Sequence, residues 1–412
     1  MSCPKCHKII SEQDFISNYC GCGFRLRISF DYDVLNSSIT KKMLQARIFN
    51  HLRYREFYPI KDPARLISLG VGGSPLIHSH RLAKKMGLKA LYLKIETGNP
   101  SGSFKDRPIS VGVSKAVELG STTLTAASSG NAAAALATFG ARAGLRVIVF
   151  VPELAPQGKI AQLTFLGTTV VRVSVEKEAE DPTVTLFKKA YQAYNWTPCP
   201  SFGPFNPFQF EGTKSLGFEL CEQFNWAAPD WILCPTGSGG LLAGAYKGFE
   251  EFKRLDFCES IPQMVAVQPQ ECAPIVKAVL NKIEPLEFPD WQKTPKTVAG
   301  GLADPHPWDA DSALEAIYTS NGTAVAVSEE AILRTQRWLA TEEGIFGEPS
   351  GTAALAGLEE LVNRGTIDPS DKVVVPITGT GFKDPEVVLS SQEVLPPIPP
   401  SLEKLKALLE SR

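Results

Sequence analysis

The chain has 412 residues, 43% of them hydrophobic, which is enough apolar content for a large core divided among two or three domains. Lysine plus arginine (42) nearly balance aspartate plus glutamate (44), giving a net charge of -2 that offers no electrostatic case for nucleic acid or an acidic membrane surface. No apolar run reaches bilayer-spanning length and Met1-Ser-Cys-Pro-Lys has no apolar signal-peptide core behind it, so a soluble cytoplasmic protein acting on a small molecule is expected.

Four of the nine cysteines open the chain as two tight pairs, Cys3-Pro-Lys-Cys6 and Cys20-Gly-Cys22-Gly. Thiolates so paired can turn toward one metal, with glycines easing the second turn, and a site filled by four protein ligands is closed and structural. Cys3, Cys6, Cys20 and Cys22 are therefore candidate Zn2+ ligands in a zinc-ribbon-like segment, against the alternative of a reduced, disordered arm. His7 is not needed to fill the coordination sphere. The other five cysteines show no spacing pattern and read as reduced thiols.

Residues 39–53 predict a helix and residues 54–63 do not. From residue 89 onward, β-rich apolar runs (91–95, 122–126, 145–151, 169–173) alternate with alanine- and lysine-rich stretches of helical length. A second series (231–235, 264–268, 373–377) repeats the pattern, so two open parallel sheets with α/β organisation are expected. Residues 284–310, with five prolines, predict a long irregular connection, as do residues 392–400, and residues 401–412 a short capped helix.

Four turns carry the chemistry. In Asn99-Pro-Ser-Gly-Ser-Phe-Lys-Asp-Arg107, Lys105 sits at the mouth of a predicted helix, where the helix dipole and desolvation lower an amine's proton affinity and favour attack on an aldehyde. The plain alternative is a capping Ser103 with a solvated lysine after it. In Ala126-Ala-Ser-Ser-Gly-Asn131, the side chains of Ser128, Ser129 and Asn131, with the amides after Gly130, can cradle a carboxylate, or the turn simply caps a helix. Pro235-Thr-Gly-Ser-Gly-Gly-Leu-Leu-Ala-Gly244 can form a phosphate nest from Thr236, Gly237, Ser238, Gly239 and Gly240, and it matches neither a nucleoside-triphosphate loop nor a dinucleotide fingerprint. In Ile377-Thr-Gly-Thr-Gly-Phe-Lys-Asp384, Thr378 offers a neutral hydroxyl at a strand end, where open α/β sheets bind ligands. A lysine for a Schiff base, a phosphate nest, a carboxylate cradle and a hydroxyl for a ring nitrogen together describe a pyridoxal 5'-phosphate site.

On these turns, with Gly72-Gly-Ser-Pro-Leu76 and Glu342-Glu-Gly-Ile-Phe-Gly-Glu-Pro349, the chain resembles the threonine synthase family of fold type II pyridoxal-phosphate enzymes over nearly its whole length. The resemblance implies a fold of the tryptophan synthase β-like type: a zinc-ribbon-like segment (1–30), a large cofactor-binding domain (31–105 and 207–395), a small domain (106–206) and a tail helix (396–412). It implies that Lys105 forms the internal aldimine and shuttles protons, with Phe104 near the ring. Asn131 would bond the ring hydroxyl, Gly237 to Gly240 the phosphate, and Thr378 the ring nitrogen. Ser103, Ser128, Ser129, Gly130, Asn131, Asn206 and Gln209 would contact substrate, and Glu348 is either an orienting acid or a helix cap. A homodimer converting O-phospho-L-homoserine and water to L-threonine and phosphate is implied, with threonine or serine dehydration as the alternative.

One departure bears on that choice. In Phe205-Asn-Pro-Phe-Gln-Phe-Glu-Gly-Thr-Lys214, Gln209 stands where similar threonine synthases usually carry an arginine for the substrate phosphate, and Gly203 and Pro204 replace polar residues. Ala132 and Leu241 also replace more polar residues. Either Arg107, Arg142, Lys159 or Lys214 substitutes, or the substrate has no phosphate.

Overall fold

The computed structural model describes residues 1–14, 21–22, 24–155, 157–174, 181–288, 290–391 and 395–410. Among the described residues there are ten strands in chain order: β1 (Leu76–His78), β2 (Ala90–Ile95), β3 (Thr123–Ala127), β4 (Arg146–Pro152), β5 (Thr169–Val173), β6 (Thr197–Pro198), β7 (Trp231–Pro235), β8 (Gln263–Pro269), β9 (Thr323–Val327) and β10 (Lys372–Ile377). They form a six-stranded sheet in the order β1-β2-β10-β7-β8-β9 and a four-stranded sheet in the order β5-β4-β3-β6. Every pairing is parallel except β1 on β2, where Leu76 faces Lys94.

Both sheets are covered on both faces, as parallel sheets require. In β7 and β8, Ile232, Cys234, Met264 and Ala266 point into one core, while Trp231, Leu233, Val265 and Val267 point into the other. The smaller sheet divides the same way, with Leu124, Val147 and Val149 on one side and Ile148 and Phe150 on the other. This alternation of fully apolar strands explains why the runs read from sequence as buried strands. Among the described residues, no helix is long and apolar enough to cross a membrane.

The expected helix over 39–53 is replaced by two short pieces, Lys41–Gln45 and the 3-10 turn His51–Phe57, preceded by a separate short helix, Tyr32–Ser38. Thr40 and Asn50 are extended, and each caps the piece after it: Thr40 Oγ1 accepts from the Met43 N–H at 3.2 Å, and Asn50 Oδ1 from the Leu52 N–H at 2.9 Å. Local side-chain acceptors thus outcompete helix continuation. The tail forms the expected helix, Leu402–Glu410, with Ser401 Oγ accepting from the Lys404 N–H at 3.4 Å.

Candidate active site

The helix Asp106–Glu118 packs on the helices Asn131–Ala143 and Pro207–Thr213. Its base is fixed by Arg107, fully buried, whose fork donates to Glu96 on one side (Nε to Oε2, 2.7 Å) and to Glu219 on the other (Nη1 to Oε1, 2.7 Å). Lys94 Nζ also reaches Glu219 at 2.7 Å. The same carboxylates hold neighbouring loops, since Glu219 accepts from the Gly73 N–H and Glu96 from Asn99 Nδ2, both at 2.9 Å. Burial opposes charge throughout this cluster, yet Glu219 and Glu96 hold Arg107 above its usual range, and Arg107 and Lys94 hold Glu219 below the usual carboxylate range.

Just before this anchor, Lys105 projects into a cleft of about 740 Å³ at the carboxyl ends of β3, β7 and β10. Phe104, the 128–131 turn, the 236–240 loop and Thr378 line the same cleft, so the site residues taken from four separate turns meet. Lys105 Nζ donates to Ser201 Oγ at 2.7 Å and lies 4.9 Å from the Phe104 ring centroid. Burial lowers its pKa to about 8, against the opposing pull of Asp309 and Asp304.

The 236–240 loop opens the helix Gly240–Arg254, whose amino end favours an anion. Gly239 has φ +101, and a Cβ there would meet Ala313 Cβ at 2.8 Å and the Asp309 carbonyl oxygen at 2.9 Å, so glycine is required. In the 128–131 turn, Ser128 Oγ accepts from the Gly130 N–H at 3.2 Å, and a Cβ on Gly130 would meet nothing within 4 Å, leaving that backbone open to a ligand. Glu348 precedes the helix Pro349–Asn363 without capping it; its Oε1 accepts from Asn131 Nδ2 at 2.6 Å, and Asn131 Oδ1 accepts from Lys383 Nζ at 2.9 Å.

Three residues expected at the substrate lie behind the wall. Ser103, Asn206 and Gln209 are buried and do not line the cleft. Asn206 Oδ1 accepts from the Phe208 N–H at 3.2 Å, and Gln209 Oε1 accepts from the Ser201 N–H at 3.0 Å, so Gln209 shapes the turn carrying the Lys105 partner. Of the candidate cations, Arg107 is taken up by Glu96 and Glu219, and Lys214 is buried against Glu211 (2.8 Å) and Glu251 (3.0 Å). Arg142 does not line the cleft, whereas Lys159 does, 3.6 Å from Asp384.

Sequence reasoning passed over several lining residues. Lys383 stands in the 377–384 turn, where only Thr378 drew a role, and Ser201, Asp304 and Ser350 carry no sequence signal. Asp304 lies in the long connection 284–310, which walls the cleft beside the glycine loop, and burial raises its carboxyl to about 8. Ser350 Oγ accepts from the Gly301 N–H at 2.9 Å and ties that connection to the helix Pro349–Asn363.

The family model for pyridoxal-phosphate dependent enzymes matches residues 67–379. The chain belongs to this family. Within it, the chain is 37% identical over 409 residues to a threonine synthase of Methanocaldococcus jannaschii, covering 99% of this chain and 98% of that one. It is also 37% identical over 391 residues to a threonine synthase of Methanosarcina acetivorans, covering 94% and 93%. Among solved structures, the processed form of threonine deaminase isoform 2 from Solanum lycopersicum superposes with a TM-score of 0.66 at 20% identity over 85% of this chain and 93% of that one. Maize serine racemase superposes with a TM-score of 0.66 at 19% identity, over 77% and 91%. At these identities the superpositions establish the fold alone. The cleft fits the cofactor of this pyridoxal-phosphate family on its own geometry: a desolvated amine, a glycine cradle at a helix amino terminus and an open Gly130 backbone face one space.

Proposed function

We propose that this protein is a threonine synthase, taking O-phospho-L-homoserine and water to L-threonine and phosphate. The observation that carries the reading beyond family membership is the pair Lys159 and Lys383, which brings two cations to the cleft that also holds Lys105. A phosphorylated amino acid is a substrate with such a charge pattern, and these two lysines supply what the absent arginine at Gln209 would have supplied. Bound pyridoxal phosphate supplies an aldehyde carbon and a ring that withdraws electrons from the substrate Cα.

Lys105, deprotonated in an appreciable fraction near neutral pH, takes and returns protons at the substrate carbons. Ser128, Ser129 and the Gly130 backbone receive the substrate carboxylate, and the glycine loop receives the cofactor phosphate. Asn131, oriented by Glu348 and Lys383, would hold the ring hydroxyl of the bound cofactor. Thr378 would offer the ring nitrogen a hydroxyl in place of a carboxylate, which would restrain charge withdrawal and suit elimination and replacement over transamination. In net terms the bond from Cγ to the phosphate oxygen breaks, one hydrogen leaves Cβ while one is gained at Cγ, the hydroxyl of water adds at Cβ, and the remaining proton of water leaves with the phosphate. The division into large and small domains about this cleft, and a homodimeric assembly, belong to the same proposal.

The test is to assay threonine and phosphate together from O-phosphohomoserine, in a protein whose visible absorption band is bleached by borohydride. Equimolar threonine and phosphate support the reading; ammonia and a 2-oxo acid from threonine or serine, without phosphate release, would move it to a dehydratase. Lys159→Ala and Lys383→Ala should each raise KM for the phosphorylated substrate by about tenfold to a hundredfold, as for loss of one charge-assisted contact.

We also propose Zn2+ at the amino terminus. The sulfurs of Cys3, Cys6 and Cys22 lie within 4.8 Å of one another, and the Cys6 N–H points to Cys3 Sγ at 3.5 Å. Cys20, the expected fourth ligand, lies outside the described residues. Elemental analysis should find one zinc per chain, lost in Cys3→Ser.

A further inference from the structure

Arg25 lies three residues past Cys22, in the amino-terminal segment, yet it is only 6% exposed and packs against the back of the cofactor site. Its guanidinium stacks 3.5 Å from the Phe210 ring centroid, donates from Nη2 to Ser312 Oγ at 2.8 Å, and approaches Asp309 Oδ1 with Nε at 3.8 Å. Ser2 and Arg27 exchange backbone hydrogen bonds of 3.0 and 2.8 Å, which splint this stretch to the cysteine turn.

Asp309 is where the two halves of the site are tied together. Its N–H donates to the Ser238 carbonyl at 2.9 Å, and its carbonyl fills the place of a Gly239 side chain. Its carboxylate accepts from the Gly203 N–H at 3.2 Å, and a Cβ on Gly203 would strike both Asp309 Oδ1 (2.3 Å) and Arg25 Cδ (2.2 Å). Gly203 lies two residues past Ser201, the hydrogen-bond partner of Lys105. One residue therefore joins the phosphate loop, through its backbone, to the turn that orients the amine, through its carboxylate, and Arg25 is the cation against that carboxylate.

We propose that Arg25 is a positioning residue of the cofactor site: through Asp309 it holds the glycine loop and the 201–203 turn in register with Lys105. The amino-terminal segment is on this account a working part of the site and more than an added stabilising module. The idea goes beyond the proposed reaction and rests only on the cleft holding the cofactor. Charge supports it as well. Asp309 faces Arg25, Asp311, Lys105 and Asp304; burial raises its carboxyl to about 7 while Arg25 and Lys105 oppose that rise, so loss of Arg25 pushes it higher still.

The test is the dissociation constant of pyridoxal phosphate for the full chain, from the visible band, across pH 6 to 9. Arg25→Ala should weaken binding about tenfold near neutral pH and move the pH midpoint of the affinity upward, as expected for a residue coupled through one intermediary. Arg25→Lys should recover most of the affinity. Asp309→Asn should lose the component of the pH dependence that Arg25→Ala shifts, leaving the step that Lys105 gives near 8, and Arg25→Ala should add little in that background. Arg27→Ala, which removes a pair with Glu315 on the surface, should bind like the wild type. An Arg25→Ala protein that melts earlier but keeps the wild-type affinity and pH profile would overturn the proposal, as would an undiminished effect in the Asp309→Asn background. A wild-type chain that takes up no cofactor overturns both this and the proposed function.

Discussion

Lys105 is set apart from the other lysines by its surroundings, and these dictate its chemistry. Burial favours the neutral amine and brings its pKa to about 8, while Asp309 and Asp304 pull the other way. Below that value the neutral fraction falls about tenfold per pH unit, so the rate of cofactor uptake by the cofactor-free protein should rise with pH through about 8 and then level off. Stopped-flow absorbance would show this, and Lys105→Ala should give no borohydride-sensitive band at any pH. Gly239 makes the complementary point about backbone: with φ +101 and no room for a Cβ, Gly239→Ala should cost about 1–3 kcal/mol of stability and weaken cofactor binding with it. Thermal melts with and without cofactor would measure both losses.

The helix Asp106–Glu118 places Lys105 only because its first turn is pinned by a buried ionic cluster. Arg107→Met leaves Glu96 and Glu219 without their bidentate partner and should destabilise the protein by about 3–5 kcal/mol in denaturant titrations at pH 8. Proton binding sets the sign of its pH dependence. With Arg107 present both carboxyls are held low, and the stability they contribute is lost only as pH falls through those low values. Without Arg107, burial raises them, the folded variant binds protons at higher pH, and the gap to the wild type should narrow between pH 8 and pH 5. The cluster also marks what sequence could not reveal. Arg107 and Lys159 look equally available in the sequence, and only burial against Glu219, more than a hundred positions away, removes the first from the cleft. Strands were legible where apolar or β-branched residues dominate the run: β5 and β7 match the expected runs residue for residue. The Ala-Val alternation of β9 and the two-residue β6 went unread, the first because alanine suits a helix as well and the second because it is too short to show a period. The turns of the site were legible because most of them close an apolar strand. The connection 284–310 was legible only as irregular chain, because its role depends on tertiary placement alone.

The cleft is built from both sheets, and this has a consequence for how the whole protein melts. The 128–131 turn belongs to the four-stranded sheet, while the 236–240 loop and Thr378 belong to the six-stranded one. Each sheet has its own cores on its two faces, so each carries much of its stability independently. A cofactor held between them binds only when both are folded, and it therefore couples their unfolding as well as stabilising them. At a free cofactor concentration about one hundred times Kd the stabilisation is about 2.7 kcal/mol. Spread over the unfolding entropy of a chain this long, that is a rise of roughly 3 °C in Tm. Calorimetry should accordingly show two overlapping transitions for the cofactor-free protein and a single sharper one, a few degrees higher, once cofactor is restored. Lys105→Ala in excess cofactor should keep the two-transition profile, because the covalent hold that Lys105 gives the cofactor is gone; a single transition in that variant would mean that the sheets are coupled by their own packing.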